Sequence, residues 1–328
     1  VTDILKQELG FQGFVVSDWA AIDQLSPNYK ADVEMAINAG VDMVMIPYGP
    51  GTPNNFVEYI EDLKALVAEG KVSTARIDDA VRRILRVKYQ MGLFDHPYAD
   101  PALTAQIGSP AHRAVARACV RESIVPLKNA QHTLPLAKNQ KRIVVIGTAA
   151  DDIGTQCGGW TITWQGQAGN TLHGGTTILA AIRQAVGPGT EVVFSPDGSN
   201  LTGASAAVVV VGETPYAEMK GDRSDLHLPA ADVALVEKAH TAGVPVVTIL
   251  LSGRPLILGN ALEASDAFLA AWLPGTEGLG VTDILFGDHK PTGKLPRHWP
   301  RNNEGLATVA VQPTSSTPLF PVGYSLEN

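Results

Sequence analysis

Cysteine is scarce in this sequence: Cys119 and Cys157 are the whole complement. No C-x-x-C and no Cys/His ligand spacing occurs, and the eight histidines are scattered, so no metal site is expected. A bond between the two thiols is compatible with their spacing, but one pair says little about redox compartment. Apolar runs are short. None approaches the ~18 residues of a membrane span, so no spanning segment is expected. Basic residues form no cluster, and 25 Lys+Arg against 33 Asp+Glu leave a formal net charge of −8. That balance argues against nucleic acid as a partner and suits a neutral ligand. Cofactor and nucleophile signatures are missing too. "VVIGTAADDIG" lacks G-x-G-x-x-G, no G-x-x-x-x-G-K-[ST] occurs, and Ser17 and Ser252 have no G-x-S-x-G setting. The start carries neither Met nor a charged-then-apolar leader. "VTDILKQELGF" reads as a helix already under way, and the chain is expected to be a fragment of a longer protein.

The length, 328 residues, suits two domains, and 45% apolar against 18% charged residues is enough for sizeable cores. Residues 1–10 are predicted helical, 13–17 a short strand, 31–40 a helix with a glycine stop, and 41–47 a second strand stopped by Pro47. Helical spacing then runs from Asn55 to about Met91, broken near Gly70; Ile60, Leu63, Leu66 and Val67 mark its apolar face. This alternation is the rhythm of a parallel sheet or barrel. "DHPYADPALTAQIGSP" (95–110), with three prolines and no periodicity, is the best linker. Beyond it strands are predicted at 142–147, 191–195, 206–212, 245–252 and 267–273, with helices at 176–186, 231–243 and 280–287. Continuous Val/Ile runs mark strands buried on both faces, hence a mostly parallel α/β sheet.

Three segments could carry chemistry. "GFVVSDW" ends a predicted strand on Asp18 and Trp19. Functional side chains of α/β barrels sit at such strand exits, yet Asp is also a good N-cap for a following helix. Trp19 opens a helix poorly but makes a flat wall for a sugar ring. "QCGGWTITWQG" (156–166) holds Trp160 and Trp164 among glycines and threonines. Both could be core residues, although a polar, glycine-rich setting suits an exposed platform. "VGETPYAEMKGDRSDLHLP" (211–229) leaves a buried strand and carries Glu213, Glu218, Lys220, Asp222, Arg223 and Asp225. A solvated loop explains such charges; ligand binding outside the strand ends of an open sheet explains them too. Carboxylates on two domains, each beside tryptophan, suit glycoside hydrolysis, which needs a nucleophile and a proton donor.

With these segments the chain resembles a family 3 glycoside hydrolase, specifically the exo-acting β-glucan glucohydrolases and β-glucosidases. "GFQGFVVSDW" is similar to the family's nucleophile segment, "CGGWTITWQG" to its tryptophan loop and "GETPYAEMKGD" to its acid/base segment. "GVDMVMIP", "RESIVPLKN", "SGRPLIL" and "LFPVGYSL" also look like family segments, so the resemblance covers nearly the whole chain. It implies that Asp18 is the nucleophile and Glu218 the acid/base, with Glu213 as fallback. It points to Trp19 and Trp164 around the leaving sugar and to Met45 at the pocket border; Trp160 beside Trp164 is a further substrate-binding candidate.

The fold implied is α/β: the last βα units of a (β/α)8 TIM barrel over 1–95, a linker over 96–109, and an α/β sandwich over 110–328 contributing the acid/base. Earlier barrel units, which in the family carry further sugar-binding groups, match nothing here, so those units or another chain are expected partners. The reaction implied is release of terminal β-D-glucosyl residues with retention, from β-linked gluco-oligosaccharides or β-glucosides, without metal or cofactor. A periplasmic or secreted location follows from the family. The alternatives are a β-xylosidase or β-N-acetylhexosaminidase of the same family, or a non-catalytic sugar-binding fragment; the acid/base segment argues against the hexosaminidase.

Overall fold

The computed structural model describes residues 1–170, 172–303 and 317–326. The chain divides into two compact units, Val1–Thr104 and Ala105–Asn328.

Three helices build the first unit: α1 (Tyr29–Ala39), α2 (Phe56–Ala68) and α3 (Thr74–Gln90). Each starts on a side chain that accepts backbone N–H groups: Asn28 from Ala31, Asn55 from Val57 and Glu58, Ser73 from Arg76. Such caps contribute about 1 kcal/mol each. Val33, Ile37, Leu66 and Val72 form the buried core with Ile22 and Tyr29. The predicted N-terminal helix is a π-helix, Thr2–Glu8.

The strands predicted at 13–17 and 41–47 are not strands of regular length. They meet in one parallel bridge, Val16 with Met43. The Met43 N–H donates to the Val15 carbonyl at 3.0 Å and the Ser17 N–H to the Met43 carbonyl at 2.9 Å. Each segment has only the other as a sheet neighbour among the described residues, and a two-stranded contact without further partners supports no longer ladder. Val16 and Met43 stay exposed.

Charge rather than apolar burial fixes these segments to α3. The Asp42 side chain is fully buried; it pairs with Lys6 at 2.6 Å and with Arg76, and accepts the Val15 N–H at 2.8 Å. Arg83 adds donation to the carbonyls of Phe11 and Gly13 at 2.7 and 3.0 Å. A buried carboxylate needs this many partners, because desolvation would otherwise neutralise it.

The second unit is a six-stranded sheet in the order β1-β6-β5-β4-β2-β3. Its strands are β1 (Val125–Asn129), β2 (Arg142–Ile146), β3 (Glu191–Phe194), β4 (Ala206–Gly212), β5 (Val246–Leu251) and β6 (Ala267–Trp272). All pairs are parallel except β1 with β6. Helices α4 (Pro110–Ser123), α6 (Ile178–Ala185) and α8 (Gly278–Leu285) cover one face, through Val120, Ile182 and Ile284. Helix α7 (Ala230–Thr241) and the buried Trp299 cover the other. Strand β4 shows the alternation that this requires: Val208 and Val210 enter the first core, Val209 and Val211 the second. A short helix α5 (Ile153–Cys157) follows β2. Neither β1 nor α4 was predicted. The two cysteines are unpaired, and burial pushes the Cys157 thiol above its ordinary value.

Candidate active site

Strand order decides where a ligand can sit on the second unit. From β2 the chain moves to the β3 edge, and from β4 it moves the opposite way, to β5 and β6. The order therefore reverses between the adjacent strands β2 and β4, and crevices open at the carboxyl ends of strands at such a reversal. The segment after β2 carries Trp160 and Trp164. The segment after β4 carries Glu213 and Glu218.

The two glutamates are placed differently. Glu213 directly follows β4 and is buried. Its Oε1 accepts from Arg254 Nε and Nη2 at 3.1 and 2.9 Å and pairs with Arg223 at 3.1 Å, and its Oε2 accepts from the Tyr216 hydroxyl at 3.0 Å. Burial, then the Glu213 charge, pushes the Tyr216 hydroxyl up to about 12. Glu218 is exposed and opens a 3-10 turn, Glu218–Gly221, with its backbone in the left-handed region at φ 47°. Lys220, Asp222 and Asp225 are exposed on the same loop.

The tryptophan loop is a turn, not a helix. The Trp160 N–H donates to the Trp164 carbonyl at 2.9 Å, and Trp160 and Ile162 have φ of 57° and 63°. The two indoles lie 6.4 Å apart at 52°, 68% and 41% exposed, so they form a surface platform and not core. Glycine lets this loop press onto the glutamate segment. A Cβ on Gly159 would stand 2.0 Å from the Tyr216 carbonyl oxygen. Gln165 completes the contact by accepting the Ala217 N–H at 3.0 Å.

In the first unit Asp18 is exposed where the 13–17 segment ends. It caps neither following helix: Asn28 caps α1, and Ala20 precedes the 3-10 turn Ala21–Gln24. Asp18 Oδ1 accepts the Trp19 N–H at 2.6 Å. Trp19 is exposed, and Ala20 is left-handed at φ 49°. Met45 is tied to this exit through its N–H, which donates to Ser17 Oγ at 2.9 Å, and through its carbonyl, which accepts from Ala20 at 3.1 Å. Thus Asp18, Trp19 and Met45 gather in the first unit, and Glu218, Trp160 and Trp164 in the second. Arg254, Gln165 and Tyr216 were not singled out by the sequence, and Ser17 was considered only as a nucleophile; the one available signal was the position of Arg254 just beyond β5. Among the described residues no group of three His, Cys, Asp or Glu could hold a metal ion, and no helix is long and apolar enough to cross a membrane.

Residues 1–87 match the glycosyl hydrolase family 3 N terminal domain and residues 124–328 the glycosyl hydrolase family 3 C-terminal domain. The chain belongs to glycosyl hydrolase family 3. It is 33% identical to the periplasmic beta-glucosidase of Salmonella typhimurium, over 99% of this chain and 49% of that protein. An exo-1,3/1,4-beta-glucanase from a Pseudoalteromonas species has a similar structure, with a TM-score of 0.89 and 38% identity over 99% of this chain and 54% of that one. A beta-glucosidase from Listeria innocua gives 0.84 and 29% over 99% and 48%. The family 3 chain described here thus spans about half the length of the relatives it matches.

Proposed function

We propose that this chain carries the catalytic carboxylates of a retaining, exo-acting β-glucosidase or β-glucan exohydrolase. Asp18 attacks the anomeric carbon of a terminal non-reducing β-D-glucosyl residue. Glu218 gives its proton to the glycosidic oxygen as that bond breaks, leaving a glucosyl ester on Asp18. Glu218, now a carboxylate, takes a proton from water; the water attacks the same carbon and frees glucose and Asp18. Retention by this route needs the two carboxyls about 5–5.5 Å apart in the working enzyme. The chemistry calls for no metal or cofactor.

The observation that carries the reading is the exposed, left-handed Glu218 on a segment bonded through Ala217 to Gln165 of the exposed tryptophan loop, at the strand-order reversal of the sheet, in a family 3 chain. Glu213 is the weaker candidate for the acid, because both its oxygens are engaged by Arg254, Arg223 and Tyr216. Trp19, Trp160 and Trp164 are proposed walls for the sugars and Met45 a border of the glucose site. Residues 1–95 are read as the last βα units of a TIM barrel, 96–109 as linker and 110–328 as the sandwich bearing the acid. The parallel Val16–Met43 contact on either side of α1, and the exposed apolar Val16 and Met43, support the barrel. Its other units are then partners of these residues. The Listeria enzyme was crystallised with glucose, and a variant of it with laminaribiose; we propose β-linked gluco-oligosaccharides and β-glucosides as substrates. The Salmonella relative is named periplasmic, and a periplasmic or secreted location is proposed.

The test is covalent trapping. Incubating the enzyme with a complete barrel with a 2-deoxy-2-fluoro-β-glucoside should add one fluoroglucosyl group to the peptide carrying Asp18, read by mass spectrometry. Label on another residue would remove Asp18 as nucleophile. Sugar binding with neither label nor turnover would make the protein a binding module. Faster labelling by the fluoroxyloside would make it a β-xylosidase.

A further inference from the structure

We infer that Gln165 and Arg254 are positioning residues that together aim Glu218. The inference rests on the reading of Glu218 as acid/base. Glu218 lies in the left-handed backbone region, which a residue with a Cβ rarely adopts, so its turn must be held from outside. It is held at both ends. Before the turn, the Ala217 N–H donates to Gln165 Oε1 at 3.0 Å. At its last residue, the Gly221 carbonyl accepts from Arg254 Nη1 at 2.6 Å.

Arg254 is itself immobilised. Its Nε and Nη2 are fixed on the buried Glu213, and its guanidinium lies 4.4 Å over the Tyr216 ring. Gly221 sits flat on that ring, since a Cβ there would come within 2.2 Å of Tyr216 Cδ2. Glu213 thus anchors the base of the loop. Gln165 follows Trp164 directly, so one side chain couples the aromatic platform to the acid. Neither residue is assigned to the reacting atoms; both act through the backbone on either side of Glu218.

Leaving-group dependence tests this in the enzyme with a complete barrel. kcat/KM reports glycosylation alone, and protonation matters there only for poor leaving groups. Glu218→Ala should lose about 10²–10⁴-fold on phenyl β-glucoside and far less on the dinitrophenyl analogue. Gln165→Met keeps the volume but loses the acceptor; it should lose about tenfold on the phenyl substrate and less than about twofold on the dinitrophenyl one. Gln165→Glu keeps an acceptor for Ala217 and should restore the profile. Arg254→Lys cannot reach Glu213 and Gly221 at once and should behave like Gln165→Met. Equal losses on both substrates, with a lowered melting temperature, would make Gln165 and Arg254 packing residues and overturn the inference. If Glu218→Ala lost equally on both substrates, the assignment of the acid itself would fall. If Glu218→Ala discriminated and Gln165→Met did not, only the positioning would.

Discussion

Gly159→Ala adds one methyl group where the tryptophan loop meets the glutamate segment. The new Cβ would lie 2.0 Å from the Tyr216 oxygen and 2.7 Å from its carbonyl carbon, where real contacts stay above 3.0 Å. The loop must therefore retreat by 3.0 − 2.0, about 1 Å. The carbonyl cannot swing aside cheaply, because the next residue, Ala217, is bonded to Gln165. Gly159 does not have positive φ, so the effect is steric and not conformational. Overpacking of this size costs about 1–3 kcal/mol of stability, and a 1 Å misplacement at an active site costs about 10² in rate. The expected result is a kcat/KM about a hundredfold lower on laminaribiose, with a melting temperature only a few degrees lower. Gly189→Ala is the control, since nothing lies within 4 Å of its Cβ; it should change neither quantity. Wild-type turnover and melting in Gly159→Ala would refute the close approach of the two segments and the coupling argued from it.

Trp164→Ala should cost about 1–3 kcal/mol in kcat/KM on gluco-oligosaccharides, by analogy with aromatic platforms for planar ligands. Aryl glucosides, lacking a second sugar, should lose less; equal losses would return Trp164 to a packing role. Asp42→Asn takes from the Lys6 ammonium, 3% exposed, its buried partner at 2.6 Å and leaves it only the half-exposed Asp79 at 3.5 Å. Breaking a buried pair from one side costs about 3–5 kcal/mol, so urea melts of the first unit should shift by that amount, and a change under about 1 kcal/mol would refute the burial argument. Tyr216 concerns pH. Its hydroxyl is raised from 10.0 to about 12, so the folded state holds this proton more tightly than the unfolded state. The stabilisation is fully present below pH 10 and is lost as pH rises toward 12. Tyr216→Phe should flatten the alkaline decline of the second unit; an unchanged slope would assign that decline to other groups.

The second unit was largely legible because its central strands are continuous apolar runs. "AAVVVVG" became β4 with its predicted bounds, and β2, β5 and β6 differ by a residue at most at each end. Strand β1 was missed because Pro126 and Lys128 interrupt its apolar pattern. Those residues are tolerable on an antiparallel edge, where a missing N–H breaks no central ladder. Helix α4 was missed because its face is thin: Val120 is buried, but Val115 is 65% exposed. The Ser109–Pro110 start was there to be read. In the first unit the apolar patterns at 13–17 and 41–47 yield only one isolated bridge, Val16 with Met43, and not the strands expected. Residue types marked the segments around Asp18, Trp164 and Glu218, and the family resemblance pointed to those three within them. Residue types could not lead to Gln165 or Arg254, whose partners lie 52 and 33 residues away in the chain. Strand order, which sets the crevice between β2 and β4, is likewise not written in any one segment.

The backbone shows why the proposed acid needs such helpers. Eight non-glycine residues among those described have positive φ, and four of them are Ala20, Trp160, Ile162 and Glu218. Each conformation costs on the order of 1–3 kcal/mol and persists only where the surroundings over-determine it. A strand could not carry the acid: residues in β4 are buried on both faces and would never meet a leaving sugar. The carboxyl must stand beyond the sheet edge, on a loop, where the chain has freedom that the chemistry cannot tolerate. Gln165, Arg254 and the Gly159 contact remove that freedom by three separate means: a side-chain acceptor, a buried ion pair and close backbone packing. The buried Glu213 therefore supports the turn of the exposed Glu218: it pairs with Arg223 and Arg254, and Arg254 also fixes the turn on which the proposed proton donor rides.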